Sequence, residues 1–165
     1  MSTFPTVEQV LELPAVTERT VPAEYLDENQ HMNIGHYLEL AARALGRVCG
    51  QSGMDQAYID DRRLTIFTAE HHLRYLGELR QDDELSVHVQ LVERSSKALH
   101  AMAYILDRSR DRLAFTFEAV LVHVGMDTRR PENFPADVAA ALDERLARHA
   151  TGWAPPVCGA MGIRR

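Results

Sequence analysis

Between Asn33 and Cys49 the residues Tyr37, Leu38, Leu40, Ala41, Ala42, Ala44, Leu45 and Val48 point in most directions around a helix. Only Glu39, Arg43 and Arg47 form a polar stripe, spaced i, i+4 with the acid N-terminal to the bases, the order that favours pairing. A helix with so narrow a polar stripe is expected to be buried on nearly all sides, which one flat layer cannot achieve. Gly50 is placed to cap its C-terminus, and Gly53 continues the loop.

The chain downstream of this helix supplies the cover. After a polar loop, Asp55 to Arg63, four strand-like segments run Leu64 to Leu76, Leu85 to Val92, Leu99 to Leu106 and Leu113 to Val124. Polar turns separate them and no helical pattern intervenes, so they predict an antiparallel meander; parallel strands would need a crossover helix between each pair. The second segment places Leu85, Val87, Val89 and Leu91 on one face and His88 and Gln90 on the other. Phe115, Phe117 and Leu121 share one register in the fourth. Upstream, Val16 to Glu24 alternates as a strand, with Pro22 marking an edge or a bulge. A second helix is expected from Pro135, ending before Gly152, and the tail carries Trp153, Pro155 and Pro156. The expected class is α+β: a curved antiparallel sheet of five to six strands around a long central helix, with a C-terminal helix, the hotdog architecture.

At 165 residues the chain is expected to form a single domain over 1–165, with a core of about 14–126 and a C-terminal helix and tail at 133–165. The charge of -6 argues against nonspecific nucleic-acid binding. No apolar run approaches the roughly 20 residues of a membrane helix. The stretch Met1-Ser2-Thr3-Phe4-Pro5 lacks the basic and apolar regions of a secretory signal, so a cytoplasmic location is expected, with Cys49 and Cys158 as reduced thiols. Lys97 is the one lysine, which leaves any phosphate clamp mainly to arginine.

The polar segment Pro22 to Tyr37 enters the helix and concentrates the chemistry. Free N–H groups at a helix start are preorganised to hold the negative charge that develops on a carbonyl oxygen under attack. A carboxylate just upstream, here Asp27, can activate water or attack directly. The order Asp27-x-x-x-His31-Met32-Asn33, followed by a helix carrying Tyr37, resembles the acyl-CoA thioesterases of the 4-hydroxybenzoyl-CoA thioesterase type. That resemblance implies that Asp27 is the catalytic base or nucleophile and that the Ile34 N–H polarises the thioester, with His31 and Asn33 in the same catalytic segment. Gln30 stands where many members of that family have glycine.

A second resemblance covers most of the chain. Tyr25-Leu26-Asp27 with His31-Met32-Asn33, Thr68-Ala69-Glu70-His71-His72 with Tyr75 and Glu78, Lys97-Ala98-Leu99-His100, and Gly159-Ala160-Met161-Gly162-Ile163-Arg164-Arg165 occur in that order. Together they are similar to thioesterases of bacterial carnitine breakdown, which act on betainyl-CoA. The resemblance implies a quaternary ammonium substrate, recognised by aromatic rings and a carboxylate. Tyr37, Phe67, Tyr75, Trp153 and Glu70 are the candidates, with His72 beside them. Lys97, Arg94 and Arg74, near strand ends, are candidates for the CoA phosphates.

Each residue also has a plainer role. Asp27 can be a turn residue, His31 can hold the loop by hydrogen bonding, and Asn33 is suited to N-capping the helix. Glu70 is divided between a site wall and an exposed face. Glu39 competes as the catalytic carboxylate, although its spacing to Arg43 favours an ion pair. Adjacent His71 and His72 point to opposite faces of a strand and cannot share one metal without a bulge, so no metal site is expected. Ser52 lacks nucleophile-elbow spacing and reads as loop; Cys49 reads as core. The expected activity is hydrolysis of a small acyl-CoA thioester to acid and free CoA. Coenzyme A enters as part of the substrate, no metal or redox cofactor is required, and the chain forms a homodimer or homotetramer by edge pairing. The alternatives are a noncatalytic acyl-CoA-binding module and a hydratase, the latter needing a carboxylate–histidine pair that the sequence does not locate.

Overall fold

The computed structural model describes residues 4–164; Met1, Ser2 and Thr3 of the N-terminal stretch and Arg165 of the C-terminal motif lie outside the described residues. In chain order the elements are α1 (Val7–Leu11), β1 (Ala15–Thr20), a 3-10 turn (Ala23–Tyr25), α2 (Ile34–Gln51), α3 (Gln56–Arg62), β2 (Leu64–Tyr75), β3 (Glu84–Arg94), β4 (Ala98–Asp107), β5 (Arg112–Gly125) and α4 (Ala136–Arg148). One antiparallel five-stranded sheet, in the order β1-β3-β4-β5-β2, packs against α2 in the expected hotdog arrangement.

The apolar pattern of the strands explains the main core. Leu85, Val87, Val89 and Leu91 of β3 meet Leu99, Ala101, Ala103 and Ile105 of β4, Phe115, Phe117, Ala119 and Leu121 of β5, and Leu40, Ala41, Ala44, Leu45 and Val48 of α2. Val138 and Leu142 bring α4 into the same cluster. Cys49 is buried there, and burial pushes its thiol up to about 12, consistent with a core role.

Several expectations need correction. Only β3, β4 and β5 form a meander; β2 crosses to the far edge and pairs with β5. The helix α2 is not buried on nearly all sides, because Ala42, Arg43, Gly46 and Arg47 form an exposed strip. It also runs past Gly50 to Gln51, with Ser52 as C-cap and Gly53 taking the left-handed conformation (φ 93°) that ends it. Ser52 is buried, its hydroxyl donating to the Val48 carbonyl and accepting from Arg145. The polar stretch Asp55 to Arg63 contains α3, which Asp55 caps by accepting from the Tyr58 N–H. The first strand ends at Thr20, before Pro22, and Pro135 is the N-cap of α4 rather than its first residue.

The face of the sheet away from α2 is covered too. Val7, Val10 and Leu13 pack with Met102, Tyr104 and Leu106 in a second apolar cluster, joined by Trp153 and Val157 of the tail. His88 and Gln90, on the face opposite the β3 core residues, are therefore buried. They keep polar partners: His88 lies between the Leu13 carbonyl and Ser86, and Gln90 accepts from Tyr104. Among the described residues, no helix is long and apolar enough to cross a membrane.

Candidate active site

The loop entering α2 is a small closed structure. Leu26 and Met32 pair as an antiparallel bridge, the Asp27 N–H donates to the His31 carbonyl (2.9 Å), and the Gln30 N–H donates to the Asp27 carbonyl (3.0 Å). Buried Met32 fixes the loop to the body through its N–H on the Leu79 carbonyl, and Tyr25 stacks flat on His36 with ring centroids 3.8 Å apart. Gln30 sits at φ 62°, the left-handed region that favours glycine, so the turn is kept by a residue that is strained there.

Within this loop Asp27 is oriented by the backbone. Its Oδ1 accepts from the Asn29 N–H (2.8 Å) and the His31 N–H (3.4 Å), while Oδ2 carries no hydrogen bond among the described residues. Asn33 caps α2, its Oδ1 accepting from the Gly35 N–H at 2.9 Å. Ile34, the first helical residue, keeps its N–H without an acceptor among the described residues, and its side chain is exposed. Asp27 and Ile34 line one cleft of about 360 Å³ together with His31, Tyr37, Tyr75 and Glu78.

The other cleft walls come from α2 and the β2–β3 connection. The Tyr37 hydroxyl donates to the Gly77 carbonyl (3.2 Å) and accepts from the Leu79 N–H (2.8 Å), which pins that connection to the helix. Burial pushes the Tyr37 phenol up, so it stays protonated as a donor. Tyr75 packs edge-on against Tyr37 and tilts against Phe115. Glu78 lies 2.8 Å from His31 Nε2 and also pairs with Arg80, whose hydrogen bond holds the carboxyl below its ordinary range. This carboxylate–histidine pair is one that reasoning from the sequence does not locate. Glu78 stood in the second resemblance, but no local pattern joins residues 31 and 78.

The remaining candidates lie elsewhere in this chain. A register shift between Thr68 and Glu70 makes Ala69 a bulge in β2. Ile66 and Thr68 face α2 before it; His71 and Tyr75 do so after it, with His71 edge-on to Phe117. Glu70 and His72 are thereby turned to the opposite face, where Glu70 pairs with Arg164 at 2.8 Å and His72 neighbours Glu118. Lys97 bonds the Pro131 carbonyl, in the turn before Ala98, which is opposite Val122. Tyr75 is opposite Phe115, seven residues along β5 and about 23 Å away at 3.3 Å per residue. Arg94 pairs with Asp143, Arg74 lies over the Phe4 ring, and Phe67 lies under Arg129. Trp153 packs on Tyr104 and lines a larger groove of about 680 Å³ beside β3 and α4. Among the described residues, no helix N-terminus lines that groove. Glu39 forms the expected pair with Arg43 (2.7 Å) and also meets His36.

Comparison with known proteins gives a consistent result. A family described as "Thioesterase-like superfamily" matches residues 21–142. The L-carnitine dehydrogenase/betainyl-CoA thioesterase of Ruegeria pomeroyi is 32% identical over 147 residues, covering 89% of this chain but 29% of that protein. This chain thus spans under a third of that two-activity relative. The betainyl-CoA thioesterase of Pseudomonas aeruginosa is 30% identical over 133 residues, covering 80% of this chain and 83% of that one. In fold, the chain is similar to a hypothetical protein from Staphylococcus aureus solved in complex with CoA (TM-score 0.83, 23% identity, 92% of this chain and 97% of that one). It is also similar to a 1,4-dihydroxy-2-naphthoyl-CoA thioesterase from Synechocystis (TM-score 0.69, 13% identity, 78% and 94%).

Proposed function

The chain belongs to the thioesterase-like superfamily, and from that premise we propose that it hydrolyses a small acyl-CoA thioester to the acid and free CoA. Asp27 is the catalytic carboxylate and the Ile34 N–H the oxyanion donor. The observation that carries this reading is their convergence: a half-buried carboxylate with one oxygen free and an unpaired amide at a helix start line the same cleft. As the thioester carbon becomes tetrahedral, charge moves onto oxygen, and a donor already fixed there stabilises it by roughly 3 kcal/mol without reorganisation. Asp27 Oδ2 takes a proton from water or attacks the carbon; anchoring of Oδ1 by two amides sets its direction in either route. His31 braces the loop through Glu78, and Asn33 sets the start of the helix.

For the acyl group we propose a short cationic chain such as betainyl. Support comes from the Ruegeria and Pseudomonas relatives and from the cleft itself, where Tyr75 stands near Glu78 and Asp27. An aromatic face and carboxylates suit a quaternary ammonium, and Glu78 takes here the part that Glu70 was expected to play. A homodimer or homotetramer completes the reading. The outer edge of β2 meets no strand among the described residues, and the groove between α2 and β2, lined by Ala42, Gly46, Ile66 and His71, is open to a second copy.

The test is a panel of short acyl-CoA esters, betainyl-CoA among them, monitored with a thiol reagent. Free CoA should appear with saturable kinetics, fastest for the cationic acyl group; binding without CoA release would indicate a noncatalytic module. The His31–Glu78 pair favours hydration as the second reading. An enoyl-CoA ester in the same panel separates it, because hydration removes the conjugated double bond without releasing thiol.

A further inference from the structure

We propose that His72, Glu118 and Cys158 bind one divalent cation of the zinc class on the face of the sheet away from α2. One ligand atom from each residue, an imidazole nitrogen, a carboxylate oxygen and a thiol sulfur, lies within 4.8 Å of the other two. They come from three parts of the chain. His72 of β2 and Glu118 of β5 are direct cross-strand partners, and Cys158 reaches them from the tail.

The one His72–Glu118 spacing is closer to that of two ligands on one ion than to that of a hydrogen bond. His72 Nδ1 stands 3.8 Å from Glu118 Oε2, which is too long for a direct hydrogen bond. Two ligands on one tetrahedral zinc stand roughly 3.3–3.7 Å apart, given bonds of about 2.0–2.3 Å. The ligand atoms, up to 4.8 Å apart, would draw together on binding through the partly exposed His72 ring and the tail.

Charge argues the same way. Glu118 is 1% exposed, and a buried carboxylate is costly without a compensating charge. Its partners are His100 Nε2 (2.9 Å, on Oε1) and the Cys158 N–H (2.8 Å, on Oε2); no arginine or lysine pairs with it among the described residues. A dication held by this carboxylate and the Cys158 thiolate makes the cluster neutral. His100 holds Oε1, and Oε2, which accepts the Cys158 N–H with one lone pair, keeps its second for the ion, the outer hydrogen bonding that orients metal ligands. Imidazole, carboxylate and thiolate together suit zinc and its neighbours in the first transition row rather than calcium or magnesium. Three protein ligands leave a fourth position toward solvent, where His72 and Cys158 are partly exposed. Bound there, the ion would staple the tail to β2 and β5, beside the Arg164–Glu70 pair. His71 takes no part, since its ring lies on Phe117 on the other face.

The full chain, stripped with a chelator and titrated with cobalt(II), should take up one equivalent with a thiolate-to-cobalt charge-transfer band, and zinc should displace it and raise the melting temperature. Cys158→Ser should abolish the band. His72→Ala should weaken zinc binding at least about tenfold. Circular dichroism of each metal-free variant separates lost metal binding from lost folding, and the two variants report independently. The proposal fails if the folded wild-type chain gives no charge-transfer band, or if both variants bind zinc as tightly as the wild type does.

Discussion

Two carboxylate–histidine contacts of almost equal length lie in very different surroundings. His31–Glu78 spans 2.8 Å at the cleft mouth with both side chains 38% exposed; His100–Glu118 spans 2.9 Å beneath the tail with both nearly inaccessible. In the first, water and Arg80 share the charge, and the pair can break or re-form as a ligand enters. In the second, removing either partner strands the other in a medium that cannot solvate it. Similar geometry therefore supports a site that acts by exchange in one place and an architectural brace in the other.

Substitutions in the two regions should separate these roles. The largest effect is expected from Asp27→Asn in the cleft: turnover should fall about 100- to 10,000-fold with folding and acyl-CoA binding retained, as steady-state kinetics and calorimetry would read. Loss in Glu39→Gln with activity kept in Asp27→Asn would move the role to the helix. Glu118→Ala under the tail leaves His100 Nε2 and the Cys158 N–H without their acceptor and should cost about 3 kcal/mol in denaturant unfolding, whereas Glu78→Gln, at nearly the same contact distance, should barely move the midpoint.

Buried imidazoles away from the cleft should also show in the pH dependence. His149 accepts from the Leu91 N–H, and burial, with help from Arg145 and Arg148, lowers it to about 4. The folded state then binds fewer protons than the unfolded state between about 4 and the ordinary 6.5, so stability is full above 6.5 and lost as pH falls through that window. The loss is on the order of 2 kcal/mol, measurable as falling melting temperatures, and His149→Gln should flatten the curve. Tyr37→Phe leaves the Leu79 N–H and Gly77 carbonyl unpaired and should cost about 1–3 kcal/mol. The smallest effect is at the loop, where Gln30→Gly relieves the φ of 62° and should gain under about 1 kcal/mol with turnover unchanged.

Much of the fold was legible because its signals are local. The central helix, the four strands from Leu64 to Val124 and the C-terminal helix arise from periodicity and turn residues, each of which acts within a few positions. The same holds for Asn33 as helix cap and for Asp27 in the loop before it. Glu78 and His31 were not legible as a pair, since 47 positions separate them and only the crossing of β2 to the far edge brings the β2–β3 connection back to the helix start.

The sequence by itself determined the central helix, the main strands and the C-terminal helix, though not α1 or the α3 inside a polar stretch, because φ/ψ preference and side-chain period are properties of neighbouring residues. Tertiary structure decided which strands became neighbours and where one of them slips. The bulge at Ala69 turned Glu70 and His72 away from the cleft, and the N-terminal helix and tail turned an apparently polar face into a buried one. Those outcomes depend on the summed packing of parts far apart in the chain, which no local pattern records.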